Sequence, residues 1–175
     1  MATLGANAIL PTMNSTTRTV TSVTIGALVA AGLATSHLDG PWGMIPGGRF
    51  HGEGRACTHE SLTAFGDSRE IEIEVRPQRP RSMTTWSVRV DGALFIPADF
   101  LTPWKRWPYQ VIDAPNVRLR SNGTILECRA KRVSDAPRIE KLRRAIARKY
   151  DLQPDSRAGR VEVWWFKIVP RTEEG

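Results

Sequence analysis

The sequence predicts an α+β fold: a small antiparallel β-barrel of about six strands with one or two helices, preceded by an N-terminal hydrophobic helix. Three observations predict it. Several short segments alternate apolar and polar residues between turn signals, one later segment has apolar residues at helical spacing, and residues 19–38 carry no charged side chain. The 175 residues are enough for one domain with its own core and a short extra segment.

The charged residues divide the chain in two. Lys and Arg total 25 and Asp and Glu total 18, a net charge of +7, yet residues 1–48 contain only Arg18 and Asp39. The positive excess therefore belongs to residues 49–175. A basic nucleic-acid-binding domain is one alternative function. It is not favoured, because the basic residues are interleaved with acidic ones and because export of the domain would argue against a nucleic-acid partner.

Residues 1–38 are interpreted as a leader that contains the hydrophobic helix. Its apolar centre, residues 23–34, is shorter than the roughly 20 residues that cross a bilayer, although the uncharged stretch 19–38 reaches that length. The alternatives are a membrane anchor, a cleaved signal peptide, and a soluble helix or disordered leader, and the first two are favoured. Arg18 before the stretch and Asp39 after it favour an N-terminus in the cytoplasm and a domain outside it, which in a bacterium is the periplasmic side. The domain is therefore expected to be membrane-anchored or exported.

Residues 39–67 are predicted to form a Gly- and Pro-rich linker that leads to a domain at 68–175. Turn-forming residues dominate positions 39–48, which excludes a long helix or strand there. Within them, Trp42 and Ile45 supply two apolar contacts, either to the domain or to a membrane interface.

The two cysteines, Cys57 and Cys128, are too few for a disulfide framework and match no zinc spacing. They either form one bridge in an exported domain or are two small buried apolar residues, and the second interpretation is favoured. Cys57 also lies between His51 and His59. For that trio, scattered loop residues are favoured over a metal or haem site, so no metal is predicted and haem is a disfavoured cofactor.

The first half of the domain is predicted to contain three strands. Residues 70–76 place Ile71, Ile73 and Val75 on one face. The other face carries Glu70, Glu72 and Glu74, interpreted as an outward charged row that protects a sheet edge. Residues 84–90 alternate again, with Trp86, Val88 and Val90 inward. Asp91-Gly92 then predicts a type I′ turn into a returning strand at 93–96.

The second half is predicted to contain three more strands and a long helix. A turn at 121–123 joins strands at 117–120 and 124–133, and a short helix is expected before Pro108. A helix capped by Asp135 runs to about residue 150. It carries one apolar stripe, formed by Ile139, Leu142, Ile146 and Tyr150. The strand at 160–169 is apolar on both faces, which indicates a central strand or one covered by a partner.

Several stretches of residues 68–171 resemble the FMN-binding split barrels. They are Pro80-Arg81-Ser82 with the strand that follows, residues 91–97, Lys105-Arg106-Trp107, residues 113–119 and residues 168–171. The order of these stretches is similar to that in pyridoxamine-phosphate-oxidase-like proteins and deazaflavin-dependent nitroreductases. The run from Gly43 to Gly54 also resembles an uncharacterised, membrane-anchored bacterial branch of this fold.

The resemblance implies a split barrel that binds FMN or a deazaflavin and reduces small organic acceptors, as a homodimer with the cofactor between the subunits. A flavin phosphate takes cationic and hydroxyl donors, and its ring takes an aromatic wall. The expected cofactor-binding residues are Arg81, Ser82, Thr84, Thr85, Trp86, Lys105, Arg106 and Trp107. Arg79 and Trp104 are further candidates, and no catalytic residue is assigned. The alternative is a cofactor-free binding or structural module tethered to the membrane.

Overall fold

The structure is a computed structural model that describes residues 38–100, 105–153 and 161–172. These ranges contain eight strands and three helices. In chain order they are β1 (Arg55–Ala56), α1 (His59–Asp67), β2 (Glu70–Val75), β3 (Arg81–Trp86), β4 (Val88–Val90), β5 (Ala93–Asp99), α2 (Trp107–Asp113), β6 (Asn116–Ser121), β7 (Thr124–Val133), α3 (Ala136–Tyr150) and β8 (Val163–Pro170).

Seven of the strands form one antiparallel sheet in the order β3-β2-β6-β7-β8-β5-β4. The strands at its two ends, β3 and β4, are consecutive in the chain and are separated only by Ser87. One bent strand therefore belongs to both ends, and the sheet curves into a barrel. This α+β architecture is consistent with a split barrel. Strand β1 adds a short parallel pairing to β7, which the sequence did not predict.

The strand predicted at 84–90 bends because the backbone of Ser87 bonds to a side chain instead of to a neighbouring strand. Its N–H donates to the hydroxyl of Tyr150 at 3.1 Å, and its carbonyl accepts from the same hydroxyl at 3.0 Å. The carbonyl of Arg69 is a second acceptor for the single proton of this hydroxyl. Burial raises the pKa of Tyr150, and the hydrogen bond from Ser87 only partly offsets this effect. The end of α3 is thereby joined to the corner of the barrel.

The core has two parts, one inside the barrel and one between the barrel and α3. Inside, side chains from six strands, α1 and α2 pack together, including Ile71, Ile73, Leu94, Ile96, Leu119, Leu126, Phe166 and Ile168. Outside, α3 packs its apolar stripe on β4, β5 and β8 through Leu142, Ile146, Tyr150, Val88, Phe95 and Trp165. Strand β8 lies between β7 and β5 and contributes to both parts, which confirms the prediction of a central strand.

The predicted turns and the long helix are confirmed. Asp91 and Gly92 have φ of 51° and 75°, and Asn122 and Gly123 have φ of 48° and 75°, as a two-residue hairpin turn requires. The Asp135 side chain accepts the N–H of Arg138 at the start of α3. The helix expected before Pro108 is wrong: α2 contains Pro108 in its first turn, where the missing N–H costs nothing.

Residues 39–67 contribute to the core as well as connecting to it, unlike the linker that their composition predicts. Helix α1 buries Leu62 and Phe65, three residues apart on one face, and Thr58 caps its start in a reciprocal pair with Ser61. Phe50 is also buried. The predicted hydrophobic segment at 19–38 lies outside the described residues except for Leu38. Within the part of the chain that the structure describes, no helix is long and apolar enough to cross a bilayer.

Cys57 and Cys128 form a disulfide, with 5.1 Å between their Cα atoms. The favoured interpretation of two separate buried thiols is therefore wrong. The parallel pairing of Ala56 with Glu127 carries the chain to the position beside Cys128, which explains how residues 71 positions apart meet. Because the Cys57 sulfur is bonded, it is not a ligand for a metal or haem with His51 and His59.

Candidate functional site

Residues 38–52, which we call the strap, lie across the outer face of β2, β3 and β6. Two ion pairs in register on this face hold it there. Arg118 lies 3.2 Å from Glu74, and Arg120 lies 2.6 Å from Glu72. The predicted outward glutamate row on an edge strand is therefore wrong, because β2 lies between β3 and β6 and Glu74 is buried.

The strap connects to these ion pairs at two points. The N–H of Phe50 donates to Glu74 Oε2 at 2.6 Å, and the Phe50 ring lies under the Arg120 guanidinium, 4.4 Å from its carbon. Asp39 accepts from Arg120 at 2.7 Å and from the N–H of His51 at 2.8 Å. Partial burial raises the pKa of Asp39, but these hydrogen bonds and the Arg120 charge outweigh it, and the net pKa is lowered.

The strap also covers the free edge of β3. Gly47 donates to the carbonyl of Ser82 at 2.9 Å and accepts from its N–H at 3.1 Å, and the Thr84 hydroxyl donates to the carbonyl of Gly43 at 2.9 Å. Gly47 is required at this point, because a Cβ there would lie 1.6 Å from the carbonyl oxygen of Gly40. Two expected cofactor donors, Ser82 and Thr84, are thus already in contact with the strap.

The expected donors on β3 divide between its two faces. Ser82, Thr84 and Trp86 lie opposite the glutamates of β2, whereas Arg81 and Thr85 lie opposite Val75 and Ile71. Ser82 is fully buried, and its hydroxyl has no hydrogen-bond partner among the described residues. The five expected cofactor-binding residues of β3 therefore do not lie together on one face of the strand within a single chain.

The alternation of its strand predicts that Trp86 points into the core, but the structure places this side chain outside the core. It is 37% exposed and stacks on Tyr150, with 4.4 Å between ring centroids and 15° between ring planes. The bend at Ser87 changes the alternation, so that Val88 and Val90 are buried while Trp86 lies on the outer surface. Trp86 therefore belongs to the contact between β3 and α3.

Lys105, Arg106 and Trp107 lie at the start of α2 and have three different environments. Lys105 Nζ lies 2.9 Å from Asp99 Oδ2. Arg106 is exposed, and its guanidinium makes no hydrogen bond or ion pair with the residues that the structure describes. Trp107 is buried against Phe166 in the inner core, so it is not the wall of an open site. Trp104 lies outside the described residues.

Three aromatic side chains come together from α2, from β8 and from the end of β5. We call Phe100, Tyr109 and Trp164 the aromatic cluster. Their rings meet edge to face: the centroids of Tyr109 and Trp164 are 4.8 Å apart, those of Phe100 and Trp164 are 5.2 Å apart, and those of Phe100 and Tyr109 are 6.0 Å apart. The Arg132 guanidinium lies over Trp164 at 3.6 Å. Tyr109 is 52% exposed, so one ring of the cluster is open to solvent.

The aromatic cluster and its cations have the chemistry that a planar, anionic cofactor requires. Lys105 is ion-paired with the residue before Phe100, and Arg106 precedes the helix that carries Tyr109, so charge and ring surface belong to one region. Aromatic faces stack on planar rings, and guanidinium groups bind phosphate. Of this region the sequence predicted only Lys105 and Arg106. Trp164 is the residue that could have identified the rest of the region, because it makes the second face of β8 apolar.

A second region is a cleft of about 890 Å³ between the start of β2 and the β6–β7 turn. Its lining is polar and carries both charge signs, from Asp67, Arg69, Glu70 and Arg120, and includes Thr84 from the expected set. No aromatic side chain belongs to its described lining. This cleft therefore lacks the ring wall that a flavin requires. Among the described residues there is also no group of three His, Cys, Asp or Glu side chains placed to hold a metal.

Solved structures share this fold at low sequence identity. A conserved hypothetical protein of Mycobacterium tuberculosis has a TM-score of 0.50 at 15% identity, over 69% of this chain and 86% of its own. A Listeria innocua protein provisionally named pyridoxamine 5′-phosphate oxidase has a TM-score of 0.47 at 16% identity, over 65% and 93%. An FAD-binding protein of Mesorhizobium loti has 0.46 at 13%, over 67% and 90%.

The similarity to the Mycobacterium tuberculosis protein concerns the fold alone, since the identity is 15%. No protein-family model and no curated protein sequence matches the chain.

Proposed function

We propose that the barrel binds a flavin or a deazaflavin at the aromatic cluster and acts as an oxidoreductase on small organic acceptors. One observation supports this more than any other: Arg106 immediately precedes the helix that carries the exposed ring of Tyr109, whose edge meets Trp164. Such a cofactor supplies hydride transfer when it is bound. The contribution of this chain is to bind the phosphate, to provide an aromatic surface and to exclude water from the ring.

The two cations have different roles in this proposal. Arg106 has a guanidinium without a partner among the described residues and donates directly to a phosphate. Lys105 is ion-paired with Asp99, whose side chain is 40% exposed, so a phosphate must compete with that carboxylate for the ammonium. We therefore expect Arg106 to contribute more to phosphate affinity than Lys105.

The proposal includes a homodimer. Arg81 and Thr85 lie on β3, whereas the aromatic cluster is formed by the end of β5, α2 and β8. The resemblance to split barrels implies a cofactor between two subunits. In such an arrangement the donors of β3 and the residues of the aromatic cluster do not need to meet within one chain. A second copy would supply the missing wall, which also explains why Tyr109 and Ile112 are exposed on α2.

Equilibrium titration with FMN and with a deazaflavin, followed by cofactor fluorescence, tests this proposal. Arg106→Ala and Tyr109→Ala are each expected to weaken binding about tenfold, which corresponds to a loss of about 1.4 kcal/mol. Arg138→Ala is the matched control, because it removes an exposed arginine from the start of α3. Equal affinities for wild type, Arg106→Ala and Tyr109→Ala would exclude the aromatic cluster as the binding surface.

A cofactor-free binding or structural module is the second candidate, and a different observation favours it. Ser82 is buried under the strap, Trp107 is in the core, and Lys105 is neutralised by Asp99. In a barrel that has lost its cofactor, the residues expected to bind it would be buried or ion-paired in this way. The same titration separates the two candidates, since this one predicts no binding of either cofactor at concentrations far above the protein concentration.

A further inference from the structure

Exposed apolar side chains are concentrated in one part of the strap. Of the seven large apolar side chains that are exposed in the described ranges, four lie within residues 38–45. They are Leu38, Trp42, Met44 and Ile45, with Trp42 77% exposed and Met44 99% exposed. Single exposed apolar residues are common, but a contiguous group indicates an interaction surface. We call Trp42, Met44 and Ile45 the apolar tip.

The backbone of the apolar tip is held in one conformation. Trp42 and Ile45 exchange two hydrogen bonds, each 3.0 Å long, around a turn in which Gly43 has φ of 57°. The Gly43 carbonyl accepts from Thr84, and Gly47 pairs with Ser82 on β3. The barrel therefore presents the tip on a fixed base, and binding does not have to order a loose loop.

These same hydrogen bonds make the tip suitable for an apolar medium. Moving an unpaired N–H or C=O into hydrocarbon is unfavourable, because no water is present there to satisfy it. Here the N–H and C=O groups of Trp42 and Ile45 are bonded to each other, and the carbonyl of Gly43 is bonded to Thr84. Residues 40–48 contain no charged side chain, and Asp39 turns away from the tip to Arg120.

The chain before the tip identifies the partner. Residues 19–38 carry no charged side chain, and the last of them, Leu38, is itself part of the exposed group. The Leu38 carbonyl accepts from Gly48 at 3.0 Å, so the last residue of the uncharged stretch is held within the strap. Trp is the residue type that concentrates at the level of lipid head groups. We infer that the apolar tip inserts into the interface of a lipid bilayer and fixes the orientation of the barrel against it.

This inference is independent of the proposed cofactor, and quenching of tryptophan fluorescence tests it directly. The full chain is reconstituted into vesicles of phosphatidylcholine and phosphatidylglycerol with brominated acyl chains, which quench only indoles that reach the bilayer. Wild type is expected to show a quenched fraction, and Trp42→Phe is expected to lose most of it. Trp86→Phe is the control, because Trp86 is exposed but stacked on Tyr150, and it should keep the wild-type quenching.

A second pair of variants separates insertion from a general change in hydrophobicity. Ile45→Asp and Ile112→Asp make the same substitution at side chains of similar exposure, 45% and 47%. Only Ile45→Asp is expected to reduce quenching. Equal quenching in wild type and Trp42→Phe would overturn the inference. So would a blue shift of Trp42 emission that rises with protein concentration in the absence of vesicles, since that result identifies a second copy of the chain as the partner.

Discussion

The Arg118 guanidinium lies 3.2 Å from the Glu74 carboxylate on the face of the barrel that the strap covers. The same carboxylate accepts the N–H of Phe50, and Arg118 also donates to the carbonyls of Phe50 at 3.0 Å and Gly52 at 2.7 Å. This ion pair therefore connects β2, β6 and the strap. It makes the Gly- and Pro-rich segment a structural part of the folded domain.

Removal of the Glu74 carboxylate is expected to destabilise the protein strongly. Glu74→Ala leaves the partly buried Arg118 guanidinium with only Glu127, 4.0 Å away, as a carboxylate partner and leaves the N–H of Phe50 without an acceptor, at a cost of about 3 kcal/mol. Urea denaturation measures this cost. Glu70→Ala is the matched control on the same strand, since Glu70 is exposed, and it should change the free energy of unfolding by less than about 0.5 kcal/mol. Similar losses for both variants would contradict the account.

The hydrogen bonds of Asp39 with Arg120 and with the N–H of His51 are expected to stabilise the strap less in acid. Its folded-state pKa is lowered from the ordinary 3.8, so its stabilising contribution is complete above that value and is lost as the pH falls through the lower, folded-state pKa. The difference in unfolding free energy between wild type and Asp39→Asn should therefore be constant from neutral pH to about pH 5 and shrink towards about pH 3. A difference that does not depend on pH would show that the Asp39 charge is not involved.

The hydroxyl of Tyr150 is expected to stabilise the corner of the barrel. Tyr150→Phe leaves the buried N–H of Ser87 without its acceptor, which should cost about 2 kcal/mol. Because burial raises the folded-state pKa of Tyr150, the wild-type contribution is complete below pH 10.0 and is lost above it, when the unfolded chain ionises first. Tyr109→Phe, at an exposed tyrosine, is the control. Circular dichroism measures the unfolding of both variants. If both were as stable as wild type, this role of Tyr150 would be contradicted.

The disulfide between Cys57 and Cys128 is expected to stabilise the domain by about 4 kcal/mol, because a loop of roughly 70 residues is closed in the unfolded chain. The paired replacement Cys57→Ala with Cys128→Ala should lower the melting temperature accordingly. Adding a thiol reductant should lower that of wild type towards the same value and leave the variant unchanged. An identical response of wild type and variant to the reductant would show that the bridge does not form.

Local sequence patterns predicted the hairpin turns and the start of the long helix, because these depend on residues close to each other in the chain. The Asp91-Gly92 and Asn122-Gly123 turns need positive φ, and the Asp135 cap precedes helical spacing of apolar residues, so each is visible within a few positions. Long-range contacts were not predictable in this way. Glu74 is in a pattern typical of a half-exposed strand, and only the pairing of β2 with β6 brings Arg118 and the strap over it.

The candidate site shows the same limit. Lys105 and Arg106 stand out as adjacent cations in the sequence, but the rings of the aromatic cluster come from the end of β5, from α2 and from the start of β8. Phe100 and Trp164 are 64 positions apart, so no local sequence pattern relates them. The pairing of β5 with β8 brings them together. Trp107 was expected at the site for its aromatic ring, and its burial depends on the position of Phe166.

The central claim, that the barrel carries a flavin or a deazaflavin, is tested most directly by the absorbance spectrum and the bound-ligand mass of the purified full chain. The account predicts a flavin or deazaflavin spectrum that disappears on denaturation, a released ligand of matching mass, and restoration of the spectrum when that ligand is added to protein from which it was removed. A colourless protein with no bound mass, which gains none on incubation with FMN or with a deazaflavin, would contradict the claim.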